Sequence, residues 1–375
     1  MSQSINKKDF IYETLKARIM SGEYAPKMRL PKEVELAGQL GVARITLRSA
    51  LDKLYDEGMI KRIPGKWTFI AGENELKPRN CLVVLPSESQ IEAPSGYIIS
   101  GIEQRAREFY MKLTRYSKDI LCSGDLEDSV RKIRENKFDG VFYLVNSIRG
   151  NEKDFMILKK TGLPVIIPHG SYGDYIKTGF AVMQTKEQEA FGAGIKTLFD
   201  RGHRRIGTIL MPNLNRSSVR GFSPDEYLEF LKKLGCRGGH SELTAYCSYS
   251  YKDISAAVRK MLRLSDPPTA IMCFSDFFAI HVYKILNEMK IKIPEQIAVM
   301  GYCGYPGGRF LSPPLSTVDI LFENAGRQAV ELMAMSGKWH KPGISPPEIF
   351  TPFAVVENDS TQTYRVEEQL TMALK

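Results

Sequence analysis

Six short runs that are apolar at nearly every position, rather than at every second one, constrain this chain most. They are CLVVLP from Cys81, GVFYLV from Gly140, PVIIP from Pro164, IGTILM from Ile206, AIMCF from Ala270 and IAVMGY from Ile297. A strand with one wet face alternates. A strand covered on both faces, as in a parallel sheet packed between helices, does not. Helical apolar spacing fills the intervals over 126–136, 187–201, 225–234, 254–264 and 277–289. Two weaker strand candidates, near 113–116 and 243–246, bring the set to roughly four per half. Alternating strands and helices predict an α/β body of two similar doubly wound parallel sheets side by side. Ligands of such folds sit at the carboxyl ends of the strands, here in the cleft between the sheets.

Upstream of residue 81 the texture differs. The stretch LPKEVELAGQLGVARITLRSALDKLYDEGMIKRIPGKWTFIAG, from Leu30, parses as a short helix, a glycine turn at Gly41-Val42, a second helix and a basic two-stranded wing. In the second helix Leu47, Ala50, Leu51 and Leu54 fall at i, i+3, i+4 and i+7, so one stripe is apolar. Arg44, Ile45, Arg48 and Ser49 are left on the opposite side, near the N-terminal turns that enter a DNA major groove first. Any small helical hairpin buries leucines at this spacing, so periodicity alone does not choose DNA. A further helix is expected over 7–21, with Ile11, Leu15 and Ile19 at steps of four, ended by Gly22 and Pro26.

The order of residues adds to this. Leu30-Pro31, Glu33, Glu35-Leu36-Ala37, Leu40-Gly41-Val42, Arg44, Thr46-Leu47-Arg48, Ala50-Leu51, Leu54, Glu57-Gly58 and Ile60 resemble the winged helix-turn-helix of GntR-type transcription regulators over roughly 8–71. The resemblance implies Arg44, Ile45, Thr46 and Arg48 at the groove and Gly65-Lys66 on the wing tip. Ser49, Arg29 and Lys32 complete the candidate DNA-binding set. Three departures stand out. Val34 occupies a place where the family often has a DNA-contacting arginine. Ala43 replaces the usual Ser or Thr, removing an N-cap worth about 1 kcal/mol and a phosphate donor. Trp67 replaces a small wing residue.

With 375 residues, the chain exceeds this head several times over, and two or three domains are expected. The net charge of +9 is concentrated at the front: residues 1–72 hold 13 Lys/Arg against 8 Asp/Glu, a balance of +5. A basic head on a nearly neutral body fits phosphate neutralisation by one segment. The six cysteines form no CxxC pair and the five histidines no HExxH, so neither a disulfide framework, a zinc site nor any other cofactor is expected. MSQSINKKDF lacks an apolar signal core, and no run approaches the roughly 18 apolar residues of a membrane span. We expect a cytoplasmic protein without membrane association. The expected domains are 1–72 for the head, 73–80 as a polar linker, 81–358 for the body and 359–375 as a tail.

The body carries its own resemblance. Gly202-His203-Arg204-Arg205-Ile206-Gly207, Ser218-Val219-Arg220-Gly221-Phe222, Pro268-Thr269-Ala270-Ile271, Ser275-Asp276, Ala279, Ile293-Pro294, Ile297-Ala298-Val299, Gly301-Tyr302 and Pro313-Pro314-Leu315-Ser316-Thr317-Val318 resemble, in order and spacing, the effector-binding body of LacI-type repressors. That body is similar to periplasmic sugar-binding proteins. The resemblance covers about 81–358 and implies three crossings between lobes, near 183, 314 and 340. It implies that Arg220 reaches ligand hydroxyls or a carboxylate, a role its fixed fork of donors suits; a plain surface arginine is the competing reading. Asp276, after a buried strand, either accepts hydroxyl hydrogens or caps the next helix. Tyr97, in PSGYIISGIE, is expected in the first strand-to-helix loop, as a stacking aromatic or a core one. His169 ends the strand PVIIP and either faces the cleft or is simply hydrogen-bonded structure. Cys303-Gly304 stands where the family has Asp-Asp. A thiol is a weak donor and a weak acceptor, so the grip on sugar hydroxyls is reduced there. Gln184 likewise sits where a carboxylate is frequent.

Three function classes follow. The first is a ligand-responsive transcription repressor, a homodimer on pseudo-palindromic double-stranded operator DNA, released by a small-molecule effector of the sugar class, with the domain order of arabinose-type repressors. The second is a DNA-binding regulator whose body has lost its ligand. The third, an enzyme on a GntR-type head, needs a pyridoxal-phosphate lysine and a phosphate-cradling loop. Neither is found, and no catalytic residue is expected.

Overall fold

The computed structural model of the protein describes residues 7–25, 28–63, 67–71, 79–87, 94–109, 111–211, 222–236 and 240–362. The chain divides into two compact units, Met1–Gln184 with Phe322–Ile349, and Thr185–Leu321 with Phe350–Lys375. It passes from one to the other after Gln184, Leu321 and Ile349, where the sequence placed crossings near 183, 314 and 340.

The first unit opens with helices α1 (Lys7–Met20), α2 (Glu33–Gln39) and α3 (Arg44–Asp56), then the hairpin β1 (Ile60–Ile63) and β2 (Trp67–Ile70). Strands β1 and β2 pair antiparallel with Ile60 opposite Ile70. The expected stripe of α3 is fully inside: Leu47, Ala50, Leu51 and Leu54 join Ile11, Leu15 and Ile19 of α1 and Leu36 of α2 in one core. Gly41, at φ +62°, makes the turn from α2 toward α3, a conformation that costs a residue with a Cβ and glycine little.

The unit continues through β3 (Arg79–Leu85), α4 (Ser95–Glu108), β4 (Met111–Ser117), α5 (Lys118–Leu121), α6 (Leu126–Glu135), β5 (Gly140–Tyr143), α7 (Lys153–Thr161), β6 (Val165–Ile167), α8 (Tyr172–Thr178) and β7 (Ala181–Thr185). The second unit holds α9 (Glu187–Asp200), β8 (Ile206–Leu210), α10 (Pro224–Leu234), α11 (His240–Leu243), β9 (Thr244–Tyr246), α12 (Tyr251–Met261), β10 (Ala270–Cys273), α13 (Asp276–Glu288), β11 (Ala298–Cys303) and β12 (Ser316–Asp319). The chain returns to the first unit for α14 (Phe322–Ala334), α15 (Ser336–Trp339) and β13 (Glu348–Thr351), and ends the second with β14 (Ala354–Val356).

Among the described residues each unit contains a six-stranded sheet, in the orders β13-β7-β6-β5-β3-β4 and β14-β12-β11-β10-β8-β9. The expectation of about four strands per half is corrected to six. The runs that were apolar throughout became the central strands, whose residues are buried at every position of β5, β6, β8 and β10. The two sheets repeat one topology: the first strand of each lies second from one edge, with the second strand outside it and the third inside. This places a switch point between β3 and β5 in one sheet and between β8 and β10 in the other. Strand β14 runs antiparallel to β12.

Two glycines decide how α4 meets α14 in the first unit. A Cβ on Gly101 would stand 1.9 Å from the Glu323 carbonyl oxygen, and one on Gly326 would stand 2.1 Å from that of Ile98. The helices therefore touch backbone to backbone. In the second unit the fold continues past the boundary expected at 358. Ser360 and Thr361 are fully buried, and the Ser360 hydroxyl donates to the Val299 carbonyl at 2.7 Å. Among the described residues no helix is long and apolar enough to cross a membrane.

Candidate DNA interface and effector site

Because the α3 stripe faces inward, the residues between its members face out. Arg44, Ile45 and Arg48 are exposed and Thr46 and Ser49 are half-buried. Ile45 is 76% exposed, which marks it as a surface side chain with an apolar contact to offer. The Arg44 Nε lies 3.2 Å from Glu33 Oε2, tying the start of α3 to α2. Both side chains reach solvent, so this pair contributes little energy and is easily exchanged for a phosphate. Ala43 occupies the N-cap of α3 in extended conformation with no side-chain cap bond, as its missing hydroxyl dictates. Without a side-chain cap, the helix dipole leaves a positive end where an anion is favoured.

Lys32 precedes α2 and is exposed; its own N–H donates to Glu35 Oε2 at 3.2 Å. Val34 is 65% exposed, an apolar side chain at the place where an arginine was expected in relatives. Arg29 is exposed, its backbone bridges Phe69, and its guanidinium lies over the Trp67 ring. Gly65 and Lys66 lie outside the described residues.

The effector candidates fall at the carboxyl edges of the two sheets. In the first unit Tyr97 lies in the first turn of α4, not in the loop before it, and is 36% exposed, so it is not a core aromatic. His169 follows β6, half-buried, with its ring edge-on to Phe322 at 5.0 Å between centroids. Gln184, near the end of β7, is buried and donates to Glu348 Oε1.

In the second unit Arg220 lies outside the described residues. Asp276 accepts a hydroxyl hydrogen, as one of the two readings had it, but from Thr317 of its own chain, and the N-cap of α13 is Ser275 instead. Asp276 is 1% exposed and clamps neighbouring strand ends instead of offering its carboxylate outward. Its Oδ2 accepts from the Tyr305 N–H at 2.5 Å and its Oδ1 from the Thr317 hydroxyl at 2.6 Å. Burial pushes this carboxyl up to about 7, against the lowering effect of those two donors and with a smaller push from Asp319. Gly301 is what makes room, since a Cβ there would stand 2.1 Å from Asp276 Oδ1.

Cys303 is buried at the end of β11 with φ +98°, followed by Gly304 at φ +76°. A Cβ on Gly304 would stand 2.3 Å from Asp319 Cγ, so no side chain fits there. Sequence reasoning passed over Ser275. It is 2% exposed at the N-cap of α13, and its hydroxyl has no hydrogen-bond partner among the described residues. A buried orphan hydroxyl costs free energy unless something pairs with it, and this one sits at the end of β10 where the topology places ligands. The cue was available: a serine directly after an apolar strand and directly before a helix. Among the described residues no group of three or more His, Cys, Asp or Glu is arranged to hold a metal ion.

Comparison with known proteins finds two families on this chain. The family described as bacterial regulatory proteins, gntR family, matches residues 7–70. The family described as periplasmic binding protein-like domain matches residues 195–361. The arabinose metabolism transcriptional repressor of Halalkalibacterium halodurans is 24% identical over 319 residues, covering 79% of this chain and 80% of that protein. The HTH-type transcriptional repressor PurR of Aliivibrio salmonicida is 26% identical over 252 residues, covering 62% of this chain and 70% of that protein. A solved transcriptional regulator CelR–cellobiose complex superposes with a TM-score of 0.60 at 18% identity, over 88% of this chain and 100% of that one.

Proposed function

We propose that this chain, a GntR-type winged helix-turn-helix fused to a LacI-type, periplasmic-binding-protein-like body, is a transcription repressor whose grip on operator DNA is set by a small-molecule effector. The observation that carries the reading is the outward face of α3. Arg44, Ile45 and Arg48 stand exposed beside an uncapped helix N-terminus, over a core that fixes the helix rigidly. Phosphate contacts from the basic head supply affinity, and Arg48 and Arg44 on base edges supply sequence preference. The protein works as a homodimer in the cytoplasm, because one short helix reads only a half-site and operator symmetry mirrors that of the protein.

The effector acts through the body. It changes DNA affinity only to the extent that it prefers one arrangement of the dimer over another. A sugar is the leading class, since arabinose appears in the name of one relative and cellobiose in the description of one similar structure. Tyr97 and His169 on the first unit, and Arg220, Ser275 and Cys303 on the second, are the effector candidates we carry forward, and none is assigned a catalytic role. A second reading, in which DNA binding ignores sugars, draws support from Asp276: its carboxylate is consumed within its own lobe and Cys303 replaces a second acidic group.

DNase footprinting upstream of the protein's own gene, with and without a panel of mono- and disaccharides and purine bases, tests both readings. A protected palindrome released by one sugar supports the first, and protection indifferent to every compound supports the second. Arg48→Ala is expected to weaken operator binding by about 1–3 kcal/mol and to relax preference at one position per half-site. Unchanged affinity removes Arg48 from the reading set.

A further inference from the structure

The wing hairpin is extended by a third backbone segment. Leu30 N–H donates to the Thr68 carbonyl and Ile70 N–H to the Met28 carbonyl, both at 2.9 Å, with Arg29 paired to Phe69. Side chains alternate across such a sheet, and one face is committed to the core: Leu30, Ile60 and Ile70 are buried. The other face therefore carries Arg29, Lys61, Trp67 and Phe69, with Lys61 opposite Phe69 across the hairpin. Trp67 directly follows the wing tip, and the Arg29 guanidinium lies over its ring.

We propose that Trp67 is a positioning residue that holds Arg29 as a preset, planar cation for the DNA backbone beside the wing. The partner is double-stranded DNA, so the inference rests on the function proposed above. A free arginine loses side-chain entropy when it settles on a phosphate. One already held against an indole ring has lost much of that freedom, and a guanidinium carries several donors in a fixed fork. Guanidinium planes stack well where an ammonium would not, so a lysine at position 29 is not an equivalent. The unusual tryptophan of this wing thereby acquires a role that a small residue cannot perform.

The test uses the full-length protein and an operator fragment defined by footprinting, with affinity measured against salt concentration. Arg29→Ala is expected to lower affinity about five- to tenfold near 0.1 M salt and to reduce the slope of log K against log salt by about one. Trp67→Ala is expected to lower affinity by a similar factor, Trp67→Phe to keep most of it, and Arg29→Lys to restore the salt slope without the full affinity. The double variant is expected to be no weaker than either single one, because the two residues act as a unit. Additive losses, or an Arg29→Ala protein with unchanged affinity and slope, overturn the proposal. Thermal melts accompany each variant; should Trp67→Ala lose the fold of the head, Trp67→Phe and the two Arg29 variants decide alone. A wild-type protein that binds no DNA at all overturns the function reading instead, which keeps the two failures apart.

Discussion

Asp276 offers the sharpest test, because sequence and structure assign it different work. In the fold its carboxyl is 1% exposed, accepts from Tyr305 N–H and Thr317 Oγ1, and is pushed by burial from 3.8 up to about 7. A carboxyl whose folded pKa is raised contributes stability that is fully present below its unfolded pKa and is lost as pH rises through the folded one. The window therefore runs from about pH 4 to about pH 7. A shift of about three units corresponds to something on the order of 4 kcal/mol across it. Asparagine is the neutral isostere. Its carbonyl can accept from Tyr305 N–H while its amide donates to a rotated Thr317 hydroxyl.

The prediction is a difference curve. Urea unfolding of wild type and Asp276→Asn at several pH values between 4 and 8 cancels every other titrating group. The variant is expected to gain on wild type steadily across the window, by up to about 4 kcal/mol at its upper end. Asp276→Ala instead leaves two buried donors unpaired and is expected to cost roughly 1–3 kcal/mol for each at any pH. Parallel curves for wild type and Asp276→Asn, together with a lost effector response, would refute this reasoning and return Asp276 to the ligand.

Other perturbations read different parts of the molecule. Glu13 on α1 has both carboxylate oxygens buried without a hydrogen-bond partner among the described residues, and burial pushes it to about 6 despite Lys16, Lys338 and Arg79, with Glu57 adding to the push. Glu13→Gln is thus expected to slow hydrogen exchange in α1 by an amount equivalent to about 1–2 kcal/mol at pH 7.5, and to do nothing below pH 4.5. Ser275→Ala is expected to leave the melting temperature unchanged or slightly raised while altering effector affinity; a melting temperature lowered by several degrees would show that the hydroxyl is already paired within the protein. Gly101→Ala, with its Cβ 1.9 Å from a backbone oxygen that has little freedom to move, is expected to cost about 3 kcal/mol or more of stability, measurable by urea unfolding.

How much of this was legible in the sequence depended on whether an element's reason to form is local. The apolar central strands and the α3 stripe announce themselves because burial on two faces, or on one helical stripe, is written directly into residue order. Strand β12, Ser-Thr-Val-Asp, was missed because it is stabilised by partners far along the chain. Its Ser316 N–H donates to Ser360 Oγ at 2.8 Å and its Thr317 hydroxyl to Asp276. The edge strands β13 and β14 are short and partly exposed, so they carry no hydrophobic pattern to read. Helix α14 was missed for a related reason: its packing on α4 depends on two glycines, Gly101 and Gly326, which locally argue against helix. Site residues were harder than elements. Motif position led to Asp276 and past Ser275, yet burial shows that the carboxylate is spent on Tyr305 and Thr317 while the neighbouring hydroxyl is not.

The same logic bears on whether the body has decayed. If Cys303-Gly304 were an eroded acidic pair, the backbone that once presented two aspartates would still accept them. It does not at the second position, where φ is +76° and a Cβ would stand 2.3 Å from Asp319 Cγ. Asp319 cannot retreat freely, because its Oδ1 accepts from Leu321 N–H at 2.7 Å. At the first position Cys303 is held at φ +98°, which costs a residue with a side chain of order 1–3 kcal/mol. It is held there by pairing with Asp319 across β12. Strain of this size persists where the surroundings over-determine it, and it gathers at sites that bind ligands. A glycine and a strained cysteine at the end of β11, with an orphan serine hydroxyl after β10, favour a reshaped pocket over a vestigial one. On the function proposed above, its ligand is expected to offer few hydroxyls toward β11 and at least one polar atom toward Ser275, which comparing the effector affinity of wild type and Ser275→Ala checks.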